Sequence, residues 1–90
     1  MTPEAAETIA LQALAHVVGE TEARERFLAL SGADRATLRA EAGNAAFLAG
    51  VLDFVLGDEA LLLAFCDAAG LAPETPARAR AALPGAAMSD

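Results

Sequence analysis

Short intervals between helix stop signals and helix start signals constrain this chain more than any other feature of its sequence. The clearest case is Gly57-Asp58, where a glycine ends one apolar segment and an aspartate suits the N-cap of the next. Asn44 suits the N-cap of the first of these two segments in the same way. This pattern predicts helices over 45–56 and 59–69 that form a tight αα-hairpin.

Further helices are predicted on both sides of this hairpin, each with its own start signal. The residues that supply these signals are Thr2, Thr21, Asp34 and Thr75-Pro76. The expected ranges are 3–18, 22–31, 35–42 and 75–83. The second of these helices is expected to point Ala23, Phe27 and Leu30 inward. The third has only Leu38 as an apolar anchor.

Apolar side chains cover most of the circumference of the 45–56 helix, which predicts that it is buried at the centre of the fold. Alanine, a strong helix former, accounts for 25 of the 90 residues, and the β-branched set is small. We therefore expect an all-α protein, a compact orthogonal or irregular bundle of five to six short helices around the central αα-hairpin. The expected single domain covers 1–83, and a short flexible C-terminal tail follows at 84–90.

The charge of the chain narrows its possible partners. The net charge is −7, and the six arginines fall in three separate pairs among thirteen acids. Nucleic acids and anionic membranes are bound by clustered basic residues, so neither partner is expected. The first residues lack the basic and apolar regions of a secretory signal, and no segment reads as a membrane span. These features predict a soluble, cytoplasmic protein.

The single histidine and the single cysteine are candidates for chemistry. His16 lies at the edge of the apolar face of the first helix, one turn from Glu20, which could orient it as a general base. The sequence shows no nucleophile to accompany it, so a boundary histidine with a local hydrogen bond is the favoured interpretation. Cys66 lies toward the C-terminal end of its helix, where the dipole disfavours a thiolate. We expect this cysteine to be buried and inert.

Three acids gather around the hairpin turn: Asp53, Asp58 and Glu59. Paired carboxylates can bind hard cations, but Asp58 already suits an N-cap and Glu59 a first-turn acid. One cysteine and one histidine are also too few for a structural zinc site. No metal and no cofactor is therefore expected.

A stripe of small or short side chains on the 45–56 helix indicates close packing against a neighbour. Ala46, Gly50, Asp53 and Gly57 follow the i, i+4, i+7, i+11 spacing of one helix face. Glycine within a helix costs up to about 1 kcal/mol relative to alanine, so Gly50 requires a reason such as the close approach of another backbone. That neighbour is either another helix of the same chain or a helix of a partner subunit.

The run from Phe47 to Cys66, FLAGVLDFVLGDEALLLAFC, resembles the central signature of a family of small alphaproteobacterial proteins known only as a domain of unknown function. The opening PEAAE at 3–7 and the Gly70-Leu71 pair are also similar, so the resemblance spans nearly the whole chain. The resemblance implies a bacterial, cytoplasmic, helical protein. Because that family has no assigned activity, no catalytic or binding residue is carried over.

Leu63 is a second interface candidate, because it falls between Glu59 and Asp67 on a charged helix face. Together with Gly50, it favours a small protein–protein interaction or regulatory module that forms a homodimer or joins a larger assembly. No enzymatic activity is expected. The alternative is a small-molecule-binding protein or enzyme with a site near His16 or near the acids Asp53, Asp58 and Glu59.

Overall fold

Side-chain caps set the starts of several helices. In the computed structural model, which describes residues 1–84, Oγ1 of Thr2 accepts a hydrogen bond from the amide of Ala5 at 3.1 Å. Asp34 and Asn44 accept from amides in the first turns of the helices that follow them, at 2.8 Å and 2.9 Å. Residues 1–84 form no strand and six helices: α1 (Pro3–Gly19), α2 (Thr21–Ser31), α3 (Arg35–Glu41), α4 (Ala45–Leu56), α5 (Glu59–Ala69) and α6 (Thr75–Ala81).

The connection between α4 and α5 confirms the predicted hairpin turn. Gly57 ends α4, and the carboxylate of Asp58 accepts a hydrogen bond from the amide of Leu61 at 3.1 Å. The end of α5 is equally well defined. Gly70 has a φ of 69°, in the left-handed region that glycine adopts without steric penalty, and the next amide donates to the carbonyl of Cys66 at 2.9 Å.

Several predicted helix boundaries are wrong by one or two residues, among them the end of α3, which lies at Glu41. Thr21 is the first residue of α2 rather than its N-cap, because α1 extends to Gly19 and leaves only Glu20 to make the turn. Glu20 occupies the N-cap position without a side-chain capping bond. At the other end, α6 stops short of the predicted position 83, and Leu83 buries its side chain just beyond the helix. The tail predicted at 84–90 lies outside the described residues, except for its first position.

The core is built around α4, as its apolar circumference predicts. This helix packs most extensively on α1 and also contacts α6 and α5. On α1, Ala6, Ala10 and Ala13 are fully buried, and side chains this small let neighbouring helices approach closely. The largest fully buried side chains are Phe65, Leu48, Leu52, Val17, Val51, Val55 and Pro76. The predicted all-α bundle is therefore confirmed, with principal dimensions of 29 × 25 × 23 Å.

The least embedded helix is α3. Leu38 is its only buried side chain, as the sequence predicts, and α3 is not one of the principal packing partners of any other helix. None of the helices within residues 1–84 has both the length and the apolar character that crossing a bilayer requires.

Candidate functional site

One face of α4 is open to solvent although the rest of that helix is buried. All four members of the predicted stripe, Ala46, Gly50, Asp53 and Gly57, are exposed. A Cβ atom placed on Gly50 meets no atom of another element within 4 Å, so no helix in the described part of the chain packs on this position. At Gly50, the alternative in which another helix of residues 1–84 packs on the stripe is therefore wrong, although Asp53 is hydrogen-bonded to Arg80 of α6.

A groove runs beside Gly50 between α2 and α4, and we refer to it as the α2–α4 groove. Its volume is about 340 Å³, and it is lined by Phe27, Leu30, Ser31, Gly50, Asp53 and Phe54. Leu30 is 77% exposed, so the prediction that it points inward is wrong. This leucine belongs to the last turn of α2, where no other described element covers it, and it extends the apolar surface of the groove outward.

Phe54 forms a wall of the α2–α4 groove and is held from two sides. Its ring packs edge-on against Phe27, with the two ring centroids 5.2 Å apart. The guanidinium carbon of Arg26 lies 5.4 Å from the centroid of Phe54, within cation–π range. Arg26 in turn donates a hydrogen bond to Asp58 at 2.8 Å. These contacts restrain the ring of Phe54 in the wall of the groove.

Two of the three acids of the hairpin turn are held by arginines, and Glu59 is not held by any arginine of residues 1–84. Asp53 accepts a hydrogen bond from Nε of Arg80 at 2.7 Å, and Asp58 pairs with Arg26. The amide of Leu61 and then the Arg26 guanidinium lower the pKa of Asp58. Within residues 1–84, no group of three or more His, Cys, Asp and Glu side chains could hold a metal ion. The structure therefore does not assemble Asp53, Asp58 and Glu59 into such a group.

His16 packs against an aromatic ring instead of a catalytic partner. The centroid of its ring lies 5.7 Å from that of Phe65, with the two planes tilted by 52°. The Nε2 atom of His16 is buried and has no hydrogen-bond partner in the described residues. The predicted local hydrogen bond is therefore missing at this atom, and Glu20 does not orient it. An open groove of about 370 Å³ is lined by this histidine together with Gln12, Phe65 and three alanines.

Cys66 is buried in the core, which confirms that part of its prediction. Its Sγ atom lies 3.7 Å from the carbonyl oxygen of Ala72. Burial, and secondly the carboxylate of Glu74, raises the pKa of the Cys66 thiol. Because the thiolate is the reactive form of cysteine, a raised pKa makes this side chain a poor nucleophile at neutral pH.

A comparison with protein families agrees with the resemblance noted in the sequence. The family model described as a protein of unknown function (DUF3572) matches residues 3–86. The chain belongs to the DUF3572 family. No curated protein and no solved structure is significantly similar to it. Membership of DUF3572 assigns no activity to any residue, so function must be argued from the surface itself.

The structure also brings forward residues that the sequence did not single out. Leu30 and Phe54 line the α2–α4 groove as site residues, and Arg26 packs over Phe54. A second apolar groove between α1 and α3 carries Arg35 and Arg39. The only sequence signal for the second groove is the i, i+4 spacing of its two arginines, which places them on one face of α3. That spacing does not reveal the apolar floor, since α1 supplies part of it.

Proposed function

We propose that this DUF3572 protein is an interaction module that binds a helix of a partner protein in the α2–α4 groove. The observation that carries the proposal is Gly50, which leaves the middle of α4 uncovered where the described chain places nothing over it. The distance between two packed helix axes depends on the side chains at their contact. A partner helix that crosses α4 at Gly50 can therefore approach unusually closely.

The exposed apolar side chains of the groove supply a driving force for this binding. Leu30 is 77% exposed, and complete burial of a leucine side chain contributes about 1.5–3 kcal/mol. Phe54 is only half-buried, so a partner can cover more of its ring. An amphipathic helix that lays its apolar face into such a groove is a common mode of peptide recognition. Asp53 and Arg26 lie beside these apolar groups and give the groove a polar rim.

The proposal includes no catalytic activity. Asp53 and Asp58 are paired with arginines, and the thiol of Cys66 is buried with a raised pKa. The three grooves described above are open clefts, whereas small-molecule sites enclose most of the surface of their ligand. These features support an interaction module over the small-molecule alternative.

We propose a cytoplasmic location and an alphaproteobacterial origin on the sequence resemblance alone. The acidic composition supports the further proposal that neither nucleic acid nor an anionic membrane is a partner. The sequence also suggests a regulatory role. The proposal includes this role only in the sense that binding by this protein can control the activity of its partner.

Gly50→Gln tests the proposed site, because glutamine favours the helix and its side chain fills the open space above α4. Ala5→Gln is the matched control, at an exposed position of α1 that lines none of the three grooves. Proteins captured from an extract of the native host with the wild-type chain are purified and titrated against all three forms by calorimetry. We expect wild type and Ala5→Gln to bind alike and Gly50→Gln to bind at least about tenfold more weakly, a loss of about 1.4 kcal/mol.

Amide hydrogen exchange in the purified complex gives a second readout. We expect the partner to protect the exposed side of the groove. Binding should therefore slow amide exchange, relative to the free chain, more in α2 and α4 than in α6. Equal affinity of a purified partner for wild type and Gly50→Gln, with no protection of α2 and α4, contradicts the proposal.

A further inference from the structure

The groove between α1 and α3 combines an apolar lining with positive charge, and we refer to it as the α1–α3 groove. Its volume is about 330 Å³, and it is lined by Leu14, Val18, Arg35, Leu38, Arg39 and Ala42. The two arginines lie one turn apart on α3, so both extend from the same face of that helix. In a chain with a net charge of −7, this is a local concentration of positive charge beside apolar surface.

The arginines of this groove lack partners of their own. Arg26 on α2 pairs with Asp58 at the N-cap of α5, and Arg80 on α6 pairs with Asp53 on α4. Within residues 1–84, neither Arg35 nor Arg39 forms an ion pair. Both side chains are exposed, and each guanidinium is free to bind a carboxylate from another molecule.

A surface with the opposite pattern lies on α5, and we refer to it as the α5 ridge. Leu63 is 47% exposed, and Glu59 and Asp67 stand one turn before and one turn after it on the same helix face. Both acids are exposed, and neither forms an ion pair in the described part of the chain. The ridge therefore presents an apolar side chain between two carboxylates.

We propose that the α5 ridge of one copy of this chain binds in the α1–α3 groove of a second copy. Leu63 enters the apolar groove, and the two carboxylates that flank it pair with Arg35 and Arg39. The rise of an α-helix is about 1.5 Å per residue, which separates Glu59 from Asp67 by about 12 Å and the arginines by about 6 Å along their axes. The long arginine side chains spread outward around the leucine to cover that difference.

A second copy is the occupant that the charges and shapes of this molecule identify. The acid–leucine–acid ridge complements the arginine-edged apolar groove in both charge and polarity. Every copy carries both surfaces, and the exposure of Leu63 shows that the ridge does not occupy the groove of its own chain. The inference concerns surfaces other than the α2–α4 groove, so it does not depend on the function proposed above.

The contact joins two different surfaces, the α5 ridge of one copy and the α1–α3 groove of another. It is a head-to-tail contact unless the two copies also make the same contact in the opposite direction. A reciprocal pair places two ridges in two grooves and gives a closed dimer, whereas a one-way contact gives a ring or a chain. Each contact is small and charged at its edges, which predicts weak, salt-sensitive association rather than an obligate oligomer.

Sedimentation equilibrium over a range of protein concentrations tests the proposal on the full chain. We expect reversible self-association that Leu63→Gln weakens by about tenfold or more, the loss expected when a central apolar anchor is removed. Leu11→Gln is the matched control, because Leu11 is 43% exposed on α1 and lines none of the three grooves.

A charge exchange identifies the two partners in the contact. Arg35→Glu/Arg39→Glu and Glu59→Arg/Asp67→Arg should each lose self-association, since like charges then face each other. An equimolar mixture of the two variants should associate again, because the altered ridge of one is complementary to the altered groove of the other. Gly50→Gln should associate as wild type does, which separates a failure here from a failure of the function proposed for the α2–α4 groove.

Circular dichroism of each variant shows whether it has kept its helices. If a charge variant has lost them, the comparison of Leu63→Gln with Leu11→Gln decides the matter alone. A wild-type chain that stays monomeric at millimolar concentration overturns the proposal. So does equal weakening by Leu63→Gln and Leu11→Gln, or a folded pair of charge variants that fails to associate on mixing.

Discussion

Asp34 and Asp58 hold the first turns of α3 and α5 through backbone amides. The amide of Thr37 is the largest cause of a lowered pKa at Asp34, and the amide of Leu61 is the largest cause at Asp58. Both carboxyls therefore bind protons less readily in the folded chain than in the unfolded chain. The stability they contribute is complete above their ordinary pKa of 3.8 and is lost as pH falls through their lower folded-state values.

We expect the free energy of unfolding to fall between about pH 5 and about pH 2, and to fall less steeply in Asp58→Asn. Asparagine keeps an oxygen acceptor for the N-cap but does not titrate. Urea unfolding followed by circular dichroism at each pH measures the slope. Glu25→Gln, at an exposed acid that caps no helix, is the control and should keep the wild-type slope. A wild-type slope in Asp58→Asn would show that this carboxyl does not contribute.

The buried thiol leads to a second prediction at the scale of one residue. Burial raises the pKa of Cys66, and the side chain is covered by the core, so a disulfide reagent at neutral pH must wait for an opening of the structure. We expect the thiol to react at least about a hundredfold more slowly in the native chain than in urea, as followed by absorbance. Equal rates in the two conditions would place the thiol at the surface.

Residues that act within one turn of helix could be predicted from the sequence, whereas pairs across the fold could not. The caps at Thr2 and Asn44 bond amides two or three residues away, so spacing alone reveals them. Arg26 and Asp58 are 32 residues apart in the sequence, and no local pattern joins them. The same guanidinium packs over Phe54, so this contact in the wall of the candidate site could not be predicted either.

At the scale of one element, a helical wheel gives the direction of a side chain but not what lies opposite it. Phe27 and Leu30 lie one turn apart on α2, yet Phe27 is buried and Leu30 is exposed. The bundle covers the middle of α2 and leaves its last turn uncovered. The same limit applies to Gly50. The sequence shows that a glycine inside a helix requires an explanation, but it does not show that no other described element packs on this position.

Gly50 should therefore cost the isolated chain stability. We expect Gly50→Ala to raise the free energy of unfolding by up to about 1 kcal/mol, because the added methyl group meets no other element and alanine favours the helix. Gly32→Ala should lower it, because Gly32 has a φ of 71° that disfavours any residue with a Cβ atom. Urea unfolding of dilute protein measures both. Destabilisation by Gly50→Ala would mean that something in the chain already packs on α4 there.

At the scale of the whole molecule, the composition and the start and stop signals were sufficient to predict an all-α bundle with α4 at its centre. They did not identify α1 as the main packing partner of α4, since helix pairing depends on how several apolar faces are satisfied together. The α1–α3 groove was hidden for this reason, because its lining comes from two helices that are about 20 residues apart.

The α2–α4 groove and the α5 ridge have no lining residue in common, which gives a prediction about the molecule as a whole. Substitutions at separate sites without shared partners are additive to within about 0.5 kcal/mol, or about twofold in affinity. We expect Leu63→Gln to leave the affinity for a helix bound at Gly50 within this range. Calorimetric titration of single and double variants measures the coupling, and a coupling larger than about tenfold would show that the two surfaces communicate.

The light attachment of α3 has a consequence for how long the α1–α3 groove exists. With Leu38 as its one buried side chain, α3 can detach by local unfolding at a smaller free-energy cost than opening the rest of the bundle. Whenever it detaches, the wall formed by Leu38 and the positive edge formed by Arg35 and Arg39 disappear together. A second copy bound there would hold α3 in place by mass action, so assembly would be measurable as slower amide exchange in the weakest part of the fold.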